Sequence, residues 1–396
     1  MTHQSRELNL TEYKSELFPA DYFREEVAKL IWQKFSKYVS IEQPSWKTDN
    51  QWELTSNGWV GYIPVNDEIT LCLNPKVPIK NLFLMLEYAY RLNPFVVEGL
   101  YESKSLNEFY ESLANILAKR VLDRQRKGLY RQYIEKQDVL PYLRGRVLFQ
   151  EMFRKPWDVN IPSKYQEHTP DIADNQLLAW TLLLIIRSGI CGEKSIPAIR
   201  KAFRELQRIV QAIPFSPKDS INRLYNRLNE DYKPMHALCR FFLENSGPTM
   251  NMGDHSMLPF VIDMAKLFEL FVAEWLRINL PDELELVSHE RVKFGKSGVI
   301  TFDIDLVINE KDTGNTAYVL DTKYKIPDSP SSSDIQQIVA YSVAKKCKNA
   351  ILIYPAQLPT PFDGMIDEIN VRTLSFSLGG DINEEGQSFV SNLLMV

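Results

Sequence analysis

Phe302–Lys325 reads FDIDLVINEKDTGNTAYVLDTKYK. It holds two short β-rich runs, "DLVI" and "AYVL", separated by the polar segment Lys311–Asn315, and this predicts a hairpin. Each run carries charge where a buried strand should be apolar: Asp305 in the first, Asp321 and Lys323 directly after the second. Burying unpaired charge is costly, so something must compensate it. Residues two apart in a strand share a face, so Asp321 and Lys323 point the same way, and the hairpin brings Asp305 alongside. Two carboxylates from neighbouring strands make a hard oxygen site suited to Mg²⁺. The ammonium beside them can orient a nucleophilic water and offset charge developing on a phosphate. The expectation is a charged cluster tolerated at a sheet edge because an ion and a substrate compensate it.

Before the hairpin, "DMAKLFELFVAEWLRINL" places Met264, Leu267, Phe268, Phe271, Val272, Trp275 and Leu276 on one stripe, which predicts a helix with Glu269 on its flank. "LELVSHERV" then reads as a strand. After the hairpin, "SDIQQIVAYSVAKKC" predicts a helix capped by Ser333 or Asp334, with Gln337 and Tyr341 one turn apart, and "AILIYP" a buried strand. The α-β-β-β-α-β order implies a compact mixed sheet with helices on both faces.

This constellation resembles the PD-(D/E)xK nuclease superfamily, in which a helix Glu, a strand Asp and an (Asp/Glu)-x-Lys on the next strand build one metal site. Carried over, the resemblance makes Glu269, Asp305 and Asp321 the metal ligands and Lys323 the catalytic amine. Ile304 stands where a proline often precedes the first Asp, and Asp303 competes with Asp305 for that role. Asp305 is preferred because the strand continues from it. The Gln-x-x-x-Tyr spacing of Gln337 and Tyr341 is similar to the RecB-like branch, where the pair supports DNA positioning.

More closely, the chain resembles McrC-type subunits of McrBC and LlaJI-like restriction systems. The matching stretches are "MAKLFELFV", "DIDLVI", "LDTKYK" with the further Lys325, and "DIQQIVAY"; upstream, "GYI", "LNPK", "RKGLYRQY", "LRGRV" and "DNQLL" follow in order. The resemblance runs from about residue 58 to 355. It implies a Mg²⁺-dependent endonuclease that cleaves double-stranded DNA and whose partner is an McrB-type AAA+ GTPase in a hexameric ring. The chain contains no GxxxxGK[ST] phosphate loop, in keeping with a subunit that leaves nucleotide hydrolysis to its partner. Two other functions are compatible with the same residues: a stand-alone RecB-like DNA repair nuclease, and a non-catalytic nuclease-fold activator of an AAA+ ring.

The remaining sequence is organised differently. Near the N-terminus, "DYFREEVAKLIWQKFSKYV" predicts an amphipathic helix, and Trp52–Pro75 alternates apolar and polar residues between Asn57-Gly58 and Asn66-Asp67, as short antiparallel strands do. "NLFLMLEYAYRL" and "SLNEFYESLANILAKRVLDRQRKGLY" return to helical spacing. "LPYLRGRVLFQEMFRKPW" reads as strand-like, followed by a Pro-bearing connection to about Pro170. Asn175–Glu244 reads as mostly helix, including "INRLYNRLNEDY". A Gly- and Pro-containing loop at 246–259 marks a boundary. The fold class expected is a multidomain α+β protein with three segments: a small β-barrel-like N-terminal region with helices that binds the partner, 1–170; a helical middle, 171–250; and a C-terminal α/β restriction-endonuclease-like core, 251–396.

The composition of 396 residues, 44% hydrophobic and 24% charged, is that of a globular protein of two or three domains. A net charge of -5 and a pI near 5.7 argue against nucleic acid covering the whole surface. Locally the balance inverts: residues 119–155 carry eleven Lys or Arg against four acids. Within that stripe Arg131, Arg144 and Arg146 are candidates for contact with the partner or with DNA. The four cysteines are isolated, which predicts buried thiols rather than disulfides or zinc. No apolar run is long enough for a bilayer, and "MTHQSRELNL" lacks a signal-peptide core, so the expected location is cytoplasmic, away from membranes.

Overall fold

The computed structural model describes residues 6–66, 68–92, 105–221, 223–247, 250–252, 255–257, 259–294 and 300–395. Parts of the loop expected at 246–259, and Gly298 and Val299 of the expected strand "GVITFDIDLVI", lie outside these. By its contacts the chain forms two compact units, residues 1–106 with 247–396, and residues 107–246. The cuts therefore differ from the three consecutive segments expected from sequence. The first hundred residues share a unit with the C-terminal part, because a strand at Phe260–Asp263 pairs with Trp59–Tyr62.

The N-terminal elements are β1 (Arg6–Thr11), β2 (Ser15–Pro19), α1 (Glu25–Phe35), β3 (Val39–Glu42), β4 (Gln51–Ser56), β5 (Trp59–Pro64), β6 (Ile69–Asn74) and α2 (Ile79–Tyr90). They build two open sheets, β2-β4-β3 and β1-β6-β5 extended by the strand at 260–263, where the sequence suggested one small barrel. Strand alternation turns Trp52 and Leu54 of β4 inward, where they join Leu8, Leu10, Ile31, Phe35, Ile63 and Leu71 in one core. Gly61 has φ +147°, and a Cβ there would lie 2.0 Å from the Phe260 carbonyl oxygen, so only glycine admits the neighbouring strand this closely.

Residues 107–246 comprise α3 (Leu106–Lys127, starting one residue before the cut), β7 (Gln132–Leu140), β8 (Arg146–Val147), α4 (Phe149–Arg154), β9 (Ile161–Thr169), α5 (Ala173–Ser188), α6 (Ile196–Gln207) and α7 (Lys233–Asn245). The helices bury Leu113, Leu117, Leu178, Leu182, Leu238 and Phe242, and Tyr110 meets Phe242 edge-on at 5.0 Å. Buried Asn175 cross-links the unit: its amide donates to the Tyr130 and Pro170 carbonyls and its oxygen accepts from the Tyr232 hydroxyl. β7 and β9 form a nine-residue antiparallel ribbon with β8 on the far edge of β9. Three sequence expectations are corrected here. The "LRGRV" piece contributes only two strand residues before turning helical, the connection to Pro170 is strand β9, and residues 223–226 are irregular and 227–229 a turn, followed by a single 3₁₀ turn at Glu230–Tyr232.

The chain then returns to the first unit with β10 (Met250–Met252), β11 (His255–Met257), β12 (Phe260–Asp263), α8 (Met264–Asn279), β13 (Leu284–Phe294), β14 (Ile300–Glu310), β15 (Thr316–Thr322), α9 (Ser332–Lys345), β16 (Asn349–Tyr354), β17 (Asp363–Ile366), β18 (Ile369–Ser375) and α10 (Ile382–Leu394). The expected helix, hairpin, helix and strand are all present. The sheet order is β13-β14-β15-β16-β18-β17, antiparallel through β15 and parallel from β15 to β18. α9 makes the crossover between β15 and β16, and β17 closes the edge as an antiparallel strand. Val319, Ala350 and Leu352 pack with Ile338 and Tyr341 of α9, while Leu320, Ile351 and Ile353, of opposite parity, are also fully buried. Both faces are therefore covered, as the sequence predicted. α8 and α10 meet through Trp275, Phe376 and Phe389. β15 is an interior strand, so the charges of "LDTK" do not sit at a sheet edge as expected. All four cysteines are buried and free, and no helix among the described residues is long and apolar enough to cross a membrane.

Candidate functional site

The site forms where β15 runs out of partners. Val319 and Leu320 are buried, Asp321 pairs in register with Leu352, and the Lys323 N–H donates to the Ile353 carbonyl at 2.8 Å. The chain stays extended through Lys323, so the two charged side chains project together. Lys323 Nζ lies 2.6 Å from Asp321 Oδ2, and Asp321 is 1% exposed. Across the crossover, α9 supplies Gln337 and Tyr341 at one-turn spacing. Lys323 Nζ donates to Gln337 Oε1 at 2.9 Å, and Gln337 Nε2 donates to the Tyr341 hydroxyl at 2.7 Å. The Tyr341 ring packs edge-on against Phe302.

Asp305 reaches the same end of the sheet from β14, where its Oδ2 accepts from the Thr322 N–H at 3.1 Å and from the Thr322 hydroxyl at 3.3 Å. Asp303, two residues earlier, is 66% exposed and pairs with Arg291 at 2.8 Å. Of the two acids the sequence left in competition, Asp305 is the one in the cluster. Glu269, on α8, comes in from the helix side and lies 3.2 Å from His289 Nδ1.

The electrostatics bind these groups together. Burial pushes the Glu269 carboxyl up to about 7, with Asp305 and Asp321 adding to the rise. Burial and then Asp305 push Asp321 to about 7 against the pull of Lys323. Burial works to lower the Lys323 ammonium, but its hydrogen bond to Asp321 and the surrounding carboxylates outweigh this and raise it. Lys323 is thus held protonated, a source of positive charge and hydrogen bonds rather than a base. Among the described residues no three Asp, Glu, His or Cys side chains stand as a ready-made ion cage, and Asp321 is turned onto Lys323. The donor set is nevertheless hard oxygen, and Mg²⁺ characteristically takes one or two carboxylates and completes its shell with water or phosphate. Burial lifts Glu269 and Asp321 most, and the repulsion among the carboxylates that adds to it is what a divalent cation would relieve.

Sequence reasoning missed two residues here. Thr322, the middle of "DTK", holds Asp305 through both its backbone and its hydroxyl. His289 lies in β13 between the Ser288–Leu306 and Glu290–Ile304 pairs, with φ 54°, and its Nδ1 is 3.2 Å from Glu269 Oε1. A left-handed non-glycine residue leaves no mark in the sequence. Arg131, Arg144 and Arg146 belong to the other unit. Arg131 and Arg146 are exposed, while Arg144 lies over the Tyr165 ring at 3.9 Å and within 3.6 Å of Glu167.

Three comparisons bear on this arrangement. The family model described as McrBC 5-methylcytosine restriction system component matches residues 54–355. The chain is 26% identical over 215 residues to the type IV methyl-directed restriction enzyme EcoKMcrBC of Escherichia coli (strain K12), covering 52% of this chain and 60% of that protein. It therefore spans about 60% of the length of that curated relative. Among solved structures it is similar to the refined half-complex from a tetradecameric assembly of Thermococcus gammatolerans McrB AAA+ hexamers with bound McrC. That likeness has TM-score 0.57 and 18% identity, and covers 98% of this chain and 100% of that one. A cryo-EM structure of the Thermococcus gammatolerans McrBC complex aligns at TM-score 0.45 and 20% identity over 70% of this chain and 89% of that one.

Proposed function

The chain belongs to the family of McrBC 5-methylcytosine restriction system components, and from that premise we propose that it is the McrC-type nuclease subunit, hydrolysing phosphodiester bonds in double-stranded DNA. The observation that carries the reading is the bridge of Lys323 Nζ between Asp321 and Gln337, next to Asp305 and Glu269, at the end of an interior strand. Such concentration of charge is expensive for a structural role alone and has a use where a phosphate and a cation meet. Asp305 and Asp321 would hold Mg²⁺, with Glu269 beside them. The ion, when bound, supplies Lewis acidity toward the phosphate and lowers the pKa of a coordinated water.

The chain's own residues supply the rest. Lys323 orients the attacking water and donates to the phosphate oxygens as charge builds on them. Gln337 keeps the Lys323 amine aimed at the reacting centre instead of folding fully onto Asp321, and Tyr341 fixes Gln337. Thr322 holds one oxygen of Asp305, leaving the other for the ion.

The proposed partner is an McrB-type AAA+ GTPase ring, the assembly named for the solved relative. Support comes from the surface of residues 107–246, where Phe153, Trp157 and Val159 are 76%, 78% and 90% exposed beside the basic stripe. Aromatic side chains amid positive charge are what an interface core and its rim require. Arg131 and Arg146 fall on the same stretch, as candidates for acidic groups of the ring or for DNA. Lys323→Ala and Asp321→Ala, assayed with the GTPase partner and GTP, should each lower cleavage by at least about a hundredfold while the fold is retained. Cutting at the wild-type rate by either variant overturns the assignment. Cutting by the wild-type chain with Mg²⁺ alone would favour the stand-alone repair nuclease.

A further inference from the structure

We propose that Glu12 is a positioning residue for the catalytic centre: from the N-terminal sheet it grips Tyr324 and so fixes the turn that carries Lys323, a role resting on the nuclease reading above. Glu12 directly follows β1 and is 0% exposed. Its Oε2 accepts the Lys76 N–H at 2.9 Å and the Tyr324 hydroxyl at 3.2 Å, and its Oε1 has no partner among the described residues. A buried carboxyl with one idle oxygen costs more than an apolar side chain of the same size would. Packing alone therefore gives no reason for an acid here, whereas a reach across to Tyr324 does.

Tyr324 is well placed to be held. The Lys325 N–H donates to the Lys323 carbonyl at 2.8 Å, which makes Tyr324 the corner of a tight three-residue turn immediately after β15. Its ring packs on Phe268, the residue before Glu269 in α8, and its hydroxyl ends on Glu12. The same N-terminal sheet also fixes where α8 begins. β12 pairs with β5 and leads straight into Asp263, the helix cap, and the Met264 N–H donates to the Gly58 carbonyl at 3.2 Å. One sheet thus anchors the helix bearing Glu269 and the turn bearing Lys323. A shift of about 1 Å at either costs up to about a hundredfold in rate, so the spacing between them is worth fixing.

The test uses the full chain with its GTPase partner. Tyr324→Phe and Glu12→Ala should each slow cleavage by about ten- to a hundredfold. Glu12→Gln, which keeps an acceptor oxygen, should lose less than either. The double variant should fall no further than Glu12→Ala, because both changes cut the same link. Stimulation of the partner's GTPase should be unchanged throughout. A second measurement needs no activity: hydrogen exchange over residues 320–326 of the chain alone should quicken in Tyr324→Phe. Wild-type cleavage by Tyr324→Phe, additive losses in the double variant, or unchanged exchange overturns the proposal. If the wild-type chain cuts no DNA yet exchange at 320–326 still quickens, the grip stands and the nuclease reading fails.

Discussion

Asp303 and Asp305 sit two residues apart on one strand and share a face, yet one pairs with Arg291 in solvent and the other takes two hydrogen bonds from Thr322. Spacing alone could not choose between them, because the choice depends on how far along β14 the neighbouring strand ends. Asp321, Lys323, Gln337 and Tyr341 were legible, since period two in a strand and period four in a helix fix faces without any tertiary knowledge. The carboxyl pKa values near 7 at Glu269 and Asp321 carry a testable consequence. Raised above their unfolded values, they contribute stability in the ion-free chain that is full below about pH 4 and lost as pH rises through about 7. A Mg²⁺ ion held there, as proposed, would need the charged forms, so its benefit would grow over the same window. The Mg²⁺-induced rise in melting temperature should therefore be larger at about pH 8 than at about pH 6, and Asp321→Asn should flatten the difference. Equal shifts at both pH values in the wild-type chain would count against the cation site.

Among the elements, those around the site and the long helices of the inserted unit announced themselves, whereas that unit's β-ribbon did not. β13 to β16 combine apolar alternation or buried runs with a clear turn, so hydrophobic pattern and chain punctuation agree. β7 is exposed along nearly its whole length, "QYIEKQDVL" having no apolar face, and β9 contains Pro162 within a paired strand. A two-stranded ribbon that buries so little has no period to read, and the basic residues there look like a solvated helix face. α8 is the element on which the site leans most, and its start is set by Asp263, whose carboxylate accepts from the Ala265 and Lys266 N–H groups. Asp263→Ala should lower stability by about 1 kcal/mol in chemical denaturation, as for loss of other side-chain caps. No change would mean that the β12–β5 pairing alone fixes the helix start.

At the level of the molecule, the division at 106/107 and 246/247 was only half visible. The loop near 246–259 is rich in Gly and Pro and gave the second boundary, but nothing local says that β12 returns to pair with β5. Such pairing is a long-range fact that single-sequence patterns do not carry. If residues 107–246 meet the partner, loss of their exposed aromatics should separate the two activities. Phe153→Ser with Trp157→Ser should weaken partner binding by about thirtyfold, the scale of an aromatic hot spot. Thermal unfolding should hardly move, as for other exposed positions. Undiminished stimulation of the GTPase would assign the contact elsewhere.

The link from Glu12 to Tyr324 joins residues 312 positions apart in sequence. On a ribosome, β1 emerges long before the segment it must secure, and the carbonyl of Ile353 that steadies Lys323 comes later still. Closing so long a loop is slow and entropically costly. Under the proposed function, nascent or prematurely terminated chains lacking β16 would not assemble the centre, so a cell translating this message would carry no cutting activity in its unfinished products.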